Sequence, residues 1–161
     1  MAVHPPVAAV DHLRRAIPPG LRLTAVEGWH LTLAFLGEVP QEPPVLTALG
    51  AVRSRDPIEL RLRGADRFQN AVWVGVGGDV SGLARLRQDV AEALRITDDR
   101  PFRPHLTIAY ARGAATDGTV RALTDYAGPP WTVSAFALVR SHHQTGGGYE
   151  RRAEWGLSGG R

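Results

Sequence analysis

The sequence contains two similar copies of a short motif, which we call the phrase. It reads WHLTLAFLG at residues 29–37 and PHLTIAYAR at residues 104–112. In both copies a histidine and a threonine are two residues apart. An extended strand would therefore present them on one face and the intervening leucine on the other. Two such strands could bring two imidazoles and two hydroxyls to one shared site.

The residues that could carry chemistry are His30 with Thr32, and His105 with Thr107. Imidazole titrates at ~6.5, so one ring can act as a base and the other as an acid near neutral pH. Hydrolysis of a phosphodiester needs such a pair, because one proton leaves the nucleophile and one reaches the leaving group. The hydroxyls could donate hydrogen bonds to the phosphate oxygens, and this chemistry does not strictly require a metal.

Two other interpretations of the repeated pair are weaker. A diverged duplication could conserve core residues only, but leucine suffices for packing and histidine is poorly suited to a buried position. A catalytic zinc usually takes three protein ligands, and neither copy has a carboxylate or second histidine at ligand spacing. We expect surface or helix-start positions for His4 and His12, and a polar turn over 141–148, which contains His142-His143 and a glycine run.

Composition excludes several classes of function. The chain has 161 residues, of which 43% are hydrophobic and 22% charged, so we expect one compact soluble domain over residues 1–161. It has no cysteine, and all 19 basic residues are arginine. Disulfides, thiolate nucleophiles, lysine Schiff bases and a P-loop lysine are therefore excluded. The absence of a signal sequence or an apolar membrane segment favours a cytoplasmic location without membrane contact.

Hydrophobic periodicity predicts the elements that must position the repeated pair. We predict helices over 7–17, 41–53, 80–94 and 116–126, and strands over 1–4, 21–25, 30–36, 58–63, 71–76, 131–140 and 149–157, with a further strand in the second phrase at 104–112. Strands outnumber helices and hairpin-length connections are common, which favours an α+β fold with mainly antiparallel sheets. The repeat indicates two similar lobes that each supply one phrase to a groove. We expect the four tryptophans to pack in the core or line that groove: Trp29, Trp73, Trp131 and Trp155.

The two phrases resemble the paired His-x-Thr motifs of the two-histidine (2H) phosphoesterase superfamily. Within it, the chain looks most like the RNA 2′,3′-cyclic phosphodiesterases, historically called 2′-5′ RNA ligases. The resemblance covers nearly the whole chain, including RPFRP at 100–104, LGEV at 36–39, VWVGV at 72–76, the 80–94 helix and the strand beginning at Tyr149.

The resemblance implies a bilobal α+β fold, with two pseudo-symmetric lobes, helices packed outside and the active site in the central cleft. It implies hydrolysis of a 2′,3′-cyclic phosphate to a 2′-phosphate without metal, ATP or other cofactor. The roles that it implies are base for His105, acid for His30, and phosphate donors for Thr32 and Thr107. It also implies that Phe35, five residues after the first histidine, stacks on the nucleobase.

The chain departs from its relatives at Tyr110, where they often carry an arginine that contacts phosphate. Either Arg103 or Arg112 could supply that charge, or Tyr110 could itself stack on a base. We expect a monomer that acts on RNA with a 2′,3′-cyclic phosphate end or on a cyclic nucleotide. The alternatives are a phosphodiesterase for small cyclic nucleotides or ADP-ribose cyclic phosphate, and a non-catalytic RNA- or nucleotide-binding module. A minor, reversible 2′-5′ ligase activity is also compatible with this chemistry.

Overall fold

Two four-stranded antiparallel sheets, each carrying one copy of the phrase, form the frame of the protein. The computed structural model describes residues 1–39, 41–53, 56–97, 100–142 and 148–157. The first sheet has the order β2-β1-β7-β8 and the second the order β5-β4-β3-β6, the strands being β1 (Ala2–Val3), β2 (Leu31–Thr32), β3 (Glu59–Phe68), β4 (Ala71–Gly78), β5 (His105–Tyr110), β6 (Trp131–Thr132), β7 (Ala135–Ser141) and β8 (Tyr149–Gly156). The predicted α+β class with antiparallel sheets is confirmed.

The helices fall where the apolar periodicity predicts them. They are α1 (Val7–Ala16), α2 (Glu42–Leu49), α3 (Val80–Leu94) and α4 (Ala114–Ala122). Helix α3 has the predicted bounds because its ends are well defined. The Asp79 carboxylate accepts a 2.8 Å bond from the Gly82 amide at the first turn. The helix ends at Arg95, which adopts the left-handed conformation with φ 54°.

One apolar cluster underlies both sheets. Its members include Leu31 from the first phrase and Leu106 from the second, each with 0% of its surface exposed. Truncating a leucine so deeply buried typically costs ~2–5 kcal/mol of folding free energy. Each phrase is therefore anchored to the core through the residue between its histidine and threonine.

The segment before β2 ties the two sheets together. We predicted a strand over 21–25, which is wrong, because these residues form no ladder. Instead, the Thr24 amide and hydroxyl both donate to the Ile108 carbonyl of β5, at 2.8 and 3.1 Å. The Trp29 indole donates to the Thr24 hydroxyl at 2.9 Å. These bonds join the residue before the first histidine to the strand of the second.

Two further strand predictions need correction. The predicted strand 131–140 is two strands in different sheets, because the chain crosses over at Val133 and Ser134. The predicted strand 30–36 is reduced to Leu31–Thr32. Most of the predicted 141–148 turn lies outside the described residues. In the part of the chain that the structure describes, every helix is too short or too polar to cross a membrane.

Candidate active site

The two His-x-Thr pairs lie at the start of one strand in each sheet. His30 immediately precedes β2, and His105 is the first residue of β5. The leucine between each pair is buried, whereas His30 and the two threonines are half-buried and His105 is exposed. Each sheet therefore presents an imidazole and a hydroxyl on the face opposite its core.

Both imidazoles are held in the same way. The Nδ1 of His30 lies 2.7 Å from the carbonyl oxygen of Gly28, and the Nδ1 of His105 lies 2.7 Å from that of Arg103. A carbonyl can only accept, so in each neutral ring Nδ1 carries the proton and Nε2 keeps its lone pair. Both rings thus have Nε2 available to exchange a proton with a ligand.

The threonine hydroxyls are available to a ligand as well. No hydrogen bond joins the hydroxyl of Thr32 or Thr107 to another residue in the described ranges. Each can donate its proton to an anion without breaking a bond within the protein. Across the same described ranges, no three His, Asp or Glu side chains come together in a group that could hold a metal ion.

Strand β5 contains a β-bulge just after its threonine. Its pairing with β4 shifts there, and two consecutive residues, Ile108 and Ala109, have no exposed surface. Strict alternation from His105 would place Tyr110 on the core face. The bulge instead returns Tyr110 to the face of His105 and Thr107, where 61% of it is exposed.

The first phrase repeats this pattern. The amides of Leu33 and Ala34 both donate to the Met1 carbonyl, at 2.8 and 3.5 Å. Leu33 and Ala34 thus lie opposite the single residue Met1, as in a β-bulge. Both Leu33 and Ala34 are buried. Phe35 then emerges with 75% of its surface exposed. The predicted stacking residue and Tyr110 therefore follow equivalent backbone irregularities.

His30 lies in a small cluster of rings. Its ring centroid is 4.8 Å from that of Tyr149, in an edge-on arrangement, and 6.0 Å from that of His4. Burial lowers the pKa of His30 below the usual imidazole value. The charges of the amino terminus and His105 act in the same direction, and the bond to Gly28 opposes them. The unliganded protein therefore favours a neutral His30.

Sequence patterns did not identify two of the residues around the imidazoles, His4 and Tyr149, as part of the site. His4, expected at a surface or helix-start position, is instead half-buried beside His30. Since Ala2 pairs with Thr32 and Val3 with Leu31, the same register brings His4 beside His30. The position of His4 beside His30 follows from the pairing of β1 with β2, which the sequence alone does not show. The other is Tyr149, which tertiary packing places beside His30. Trp73, predicted to pack in the core or line the groove, has its ring centroid 5.6 Å from that of His105.

The predicted arginines lie near the ends of β5. Arg103 provides the carbonyl that holds His105, and its side chain is exposed. Arg112 is exposed two residues beyond the end of the strand. Neither guanidinium forms an ion pair or hydrogen bond with another residue of the described segments. Both are therefore available to an anionic ligand. His12, by contrast, stays exposed on α1, where its Nδ1 lies 3.0 Å from the Tyr126 hydroxyl.

Known proteins match both the sequence and the fold. The sequence profile of the 2′-5′ RNA ligase superfamily matches residues 3–145. The chain is 38% identical over 129 residues to the RNA 2′,3′-cyclic phosphodiesterase of Thermus thermophilus, a stretch covering 70% of this chain and 63% of that one. It is 37% identical over 98 residues to the Escherichia coli protein of the same name, covering 56% of each chain. The chain therefore matches less than two thirds of the length of these relatives in sequence.

The structural match extends further. The crystal structure of Escherichia coli LigT complexed with 3′-AMP superimposes with a TM-score of 0.75 and 27% sequence identity, and the match covers 98% of this chain and 95% of LigT. A Thermus thermophilus crystal structure matches with a TM-score of 0.71 and 29% identity, covering 99% of this chain and 97% of that one. Both the sheets and the connecting helices are thus common to these proteins.

Proposed function

This chain belongs to the 2′-5′ RNA ligase superfamily, and on that basis we propose that it is an RNA 2′,3′-cyclic phosphodiesterase. The relatives of that name support the proposal. The single observation that carries it is the matched pair of Nδ1–carbonyl bonds, which leaves both Nε2 atoms free. A hydrolase that moves one proton off water and another onto a leaving oxygen needs two such groups.

The reaction assigned to the site needs two proton transfers. The Nε2 of His105 takes a proton from water as the water oxygen forms a bond to the cyclic phosphorus. The bond from phosphorus to O3′ breaks, and Nε2 of His30 gives its proton to O3′. The product carries a 2′-phosphate and a free 3′-hydroxyl. Residues 1–161 then act as one bilobal catalytic unit, and no metal or cofactor takes part.

The phosphate lies between the two threonines in this mechanism. The hydroxyls of Thr32 and Thr107 donate to its non-bridging oxygens, where negative charge increases in the transition state. An acid must be protonated before it acts, whereas burial lowers the pKa of free His30. A bound phosphate opposes that effect, because a nearby anion favours the charged form of an imidazole.

The exposed aromatic and basic residues around the phosphate hold the rest of the substrate. Phe35 stacks on the terminal nucleobase, and it also lines a cavity of about 330 Å³ together with Arg87 and Arg100. Tyr110 provides a second aromatic ring on the face of His105. Arg103 and Arg112 supply positive charge to the phosphate. A ribose hydroxyl that replaces water would join two RNA ends through a 2′-5′ bond, as a minor activity.

Product analysis tests the proposal. The purified protein is incubated with RNA ending in a 2′,3′-cyclic phosphate and, in parallel, with 2′,3′-cyclic AMP, both with a metal chelator present. We expect a 2′-phosphate product at a rate that the chelator does not change. A 3′-phosphate product would show that the leaving group is O2′, and loss of activity restored by one metal would contradict the metal-free reaction.

A further inference from the structure

The face of the second sheet that carries His105 continues beyond the candidate active site. Residues directly opposite each other in an antiparallel sheet share a face. Gly75 of β4 lies opposite both His105 of β5 and Arg63 of β3. Gly77, two residues further along β4, lies opposite Arg61. Arg63 is thus two strand spacings from His105, about 10 Å between backbones, with Gly75 on the strand between them.

Gly75 and Gly77 add no side chain to this face, and we call them the Gly75–Gly77 floor. The Trp73 ring borders Gly75, where a Cβ atom would be 3.7 Å from it, and the arginine side chains lie beside Gly77. A Cβ atom at Gly77 would be 2.5 Å from Cδ of Arg63 and 3.6 Å from Cγ of Arg61. Arg63 is exposed and Arg61 half-buried, and neither forms an ion pair with another residue of the described segments. Two guanidinium groups therefore stand on the face of His105 without a carboxylate partner there.

Acidic residues mark the ends of this basic stretch. Asp66 lies opposite Trp73, on the same face but towards the other end of β3, and its carboxylate accepts a 2.7 Å bond from the Arg67 amide. Glu59, two residues before Arg61, is exposed at the start of the strand. A polyanion that leaves His105 is repelled by Asp66 and attracted by the arginines. The basic stretch is short, with room for about two phosphates at one per arginine.

We propose that Arg61 and Arg63, across the Gly75–Gly77 floor, bind the two RNA phosphates that precede the cyclic phosphate. The inference rests on the proposed function and names its substrate class: an oligoribonucleotide is preferred over a cyclic mononucleotide. Because the basic stretch ends at Glu59, the preference rises over the first added nucleotides and then stays constant. Charge complementarity and continuity with the face of His105 carry the assignment.

The test compares kcat/KM on 2′,3′-cyclic AMP with kcat/KM on short oligoribonucleotides of increasing length that end in a cyclic phosphate. We expect Arg61→Gln/Arg63→Gln to lower kcat/KM on the oligomers towards the mononucleotide value and to leave the mononucleotide value unchanged. The slope of log(kcat/KM) against log salt concentration falls by about 1.4, at ~0.7 per lost phosphate contact on a single strand.

The matched control is Arg14→Gln/Arg121→Gln, which removes the same charge from exposed positions on α1 and α4. It should leave the oligomer preference unchanged. An equal loss on both substrates, an equal effect of the control pair, or a preference absent from the unaltered protein would each overturn the inference.

Failure of the proposed function gives a different result. A protein that cleaves neither substrate is not the proposed enzyme. Phosphate binding by Arg61 and Arg63 is then tested by the affinity for a 2′-phosphate-ended oligomer, measured by fluorescence anisotropy. In that assay the Arg61→Gln/Arg63→Gln variant should bind the oligomer more weakly, and its affinity should depend less steeply on salt than that of the unaltered protein. Equal binding by the two proteins would overturn the inference.

Discussion

The imidazoles of His30 and His105 are held by the same bond, from Nδ1 to the carbonyl two residues earlier, at 2.7 Å in both cases. The equivalence extends beyond the bond. Each histidine is followed by a buried leucine, a half-buried threonine, two consecutive buried residues and an exposed aromatic. The surroundings differ, however, because His30 is half-buried beside His4 and Tyr149 whereas His105 is exposed beside Trp73. The same hydrogen bond thus holds two imidazoles, of which His105 is more exposed to solvent than His30.

The pH dependence of the rate should reflect this difference. We expect a bell-shaped profile of kcat/KM, since one imidazole must be neutral and the other protonated. Because burial lowers the pKa of His30, the limb that reports this acid should lie below ~6.5, the ordinary imidazole value. An NMR titration should place the midpoint of His30 below that value in the free protein and raise it when phosphate binds. A midpoint at or above ~6.5 in the free protein would contradict the assignment.

The threonine hydroxyls should contribute in the transition state. Thr32→Val or Thr107→Val keeps the side-chain shape but removes the donor, and we expect kcat to fall about 10²-fold, as for other lost oxyanion donors. Thr→Ser at the same positions should retain most of the rate. Thr132→Val, at an exposed strand position, serves as the control. Equal rates for the valine and serine variants would remove the hydroxyls from the mechanism.

Packing of Tyr149 on Gly28 should position His30. A Cβ atom at Gly28 would be 2.8 Å from Cδ2 of Tyr149, so Gly28→Ala must shift either that ring or the carbonyl that holds His30. A displacement of about 1 Å at a reacting group can cost up to ~10²-fold in rate. We expect Tyr149→Phe to be nearly neutral and Tyr149→Ala to relieve part of the Gly28→Ala defect. Additive losses in this double-mutant cycle would mean that the two positions act independently.

His4 should make the folded state sensitive to acid. Burial, with the charges of Arg151 and His30, lowers its pKa to about 4, whereas an unfolded histidine titrates at ~6.5. The unfolded chain therefore takes up a proton first, and stability falls as the pH drops from ~6.5 to ~4. His4→Phe should flatten this part of the Tm–pH curve. An unchanged slope in the variant would show that His4 protonates freely in the folded protein.

The elements that the sequence predicted well are those with local causes. Helix α3 has a regular apolar stripe and an aspartate cap at Asp79, so both its period and its start are visible in the sequence. The repeated His-x-Thr pairs were found because the two copies share their spacing. That each sheet carries one of the two His-x-Thr pairs could therefore be predicted from the residues alone.

The parts that were missed depend on tertiary pairing. The residues from Trp131 to Arg140 are mainly apolar and include no glycine or proline, so the sequence does not reveal the passage from one sheet to the other. The bulges before Phe35 and Tyr110 arise from backbone register, which side-chain periodicity does not encode. His4 and Tyr149 reach His30 only through pairing and packing of distant segments. Such contacts need the fold before they can be seen.

The central claim is that His30 and His105 act together as acid and base on a cyclic phosphodiester. Its most direct test is single-turnover cleavage of cyclic-phosphate-ended RNA by His30→Ala, His105→Ala and the double variant, with chelator present and folding checked by Tm. We predict that each single variant loses about 10²-fold or more, and that the double variant loses much less than the product of the two, because the pair acts as a unit. Full activity in the His105→Ala variant would contradict the mechanism.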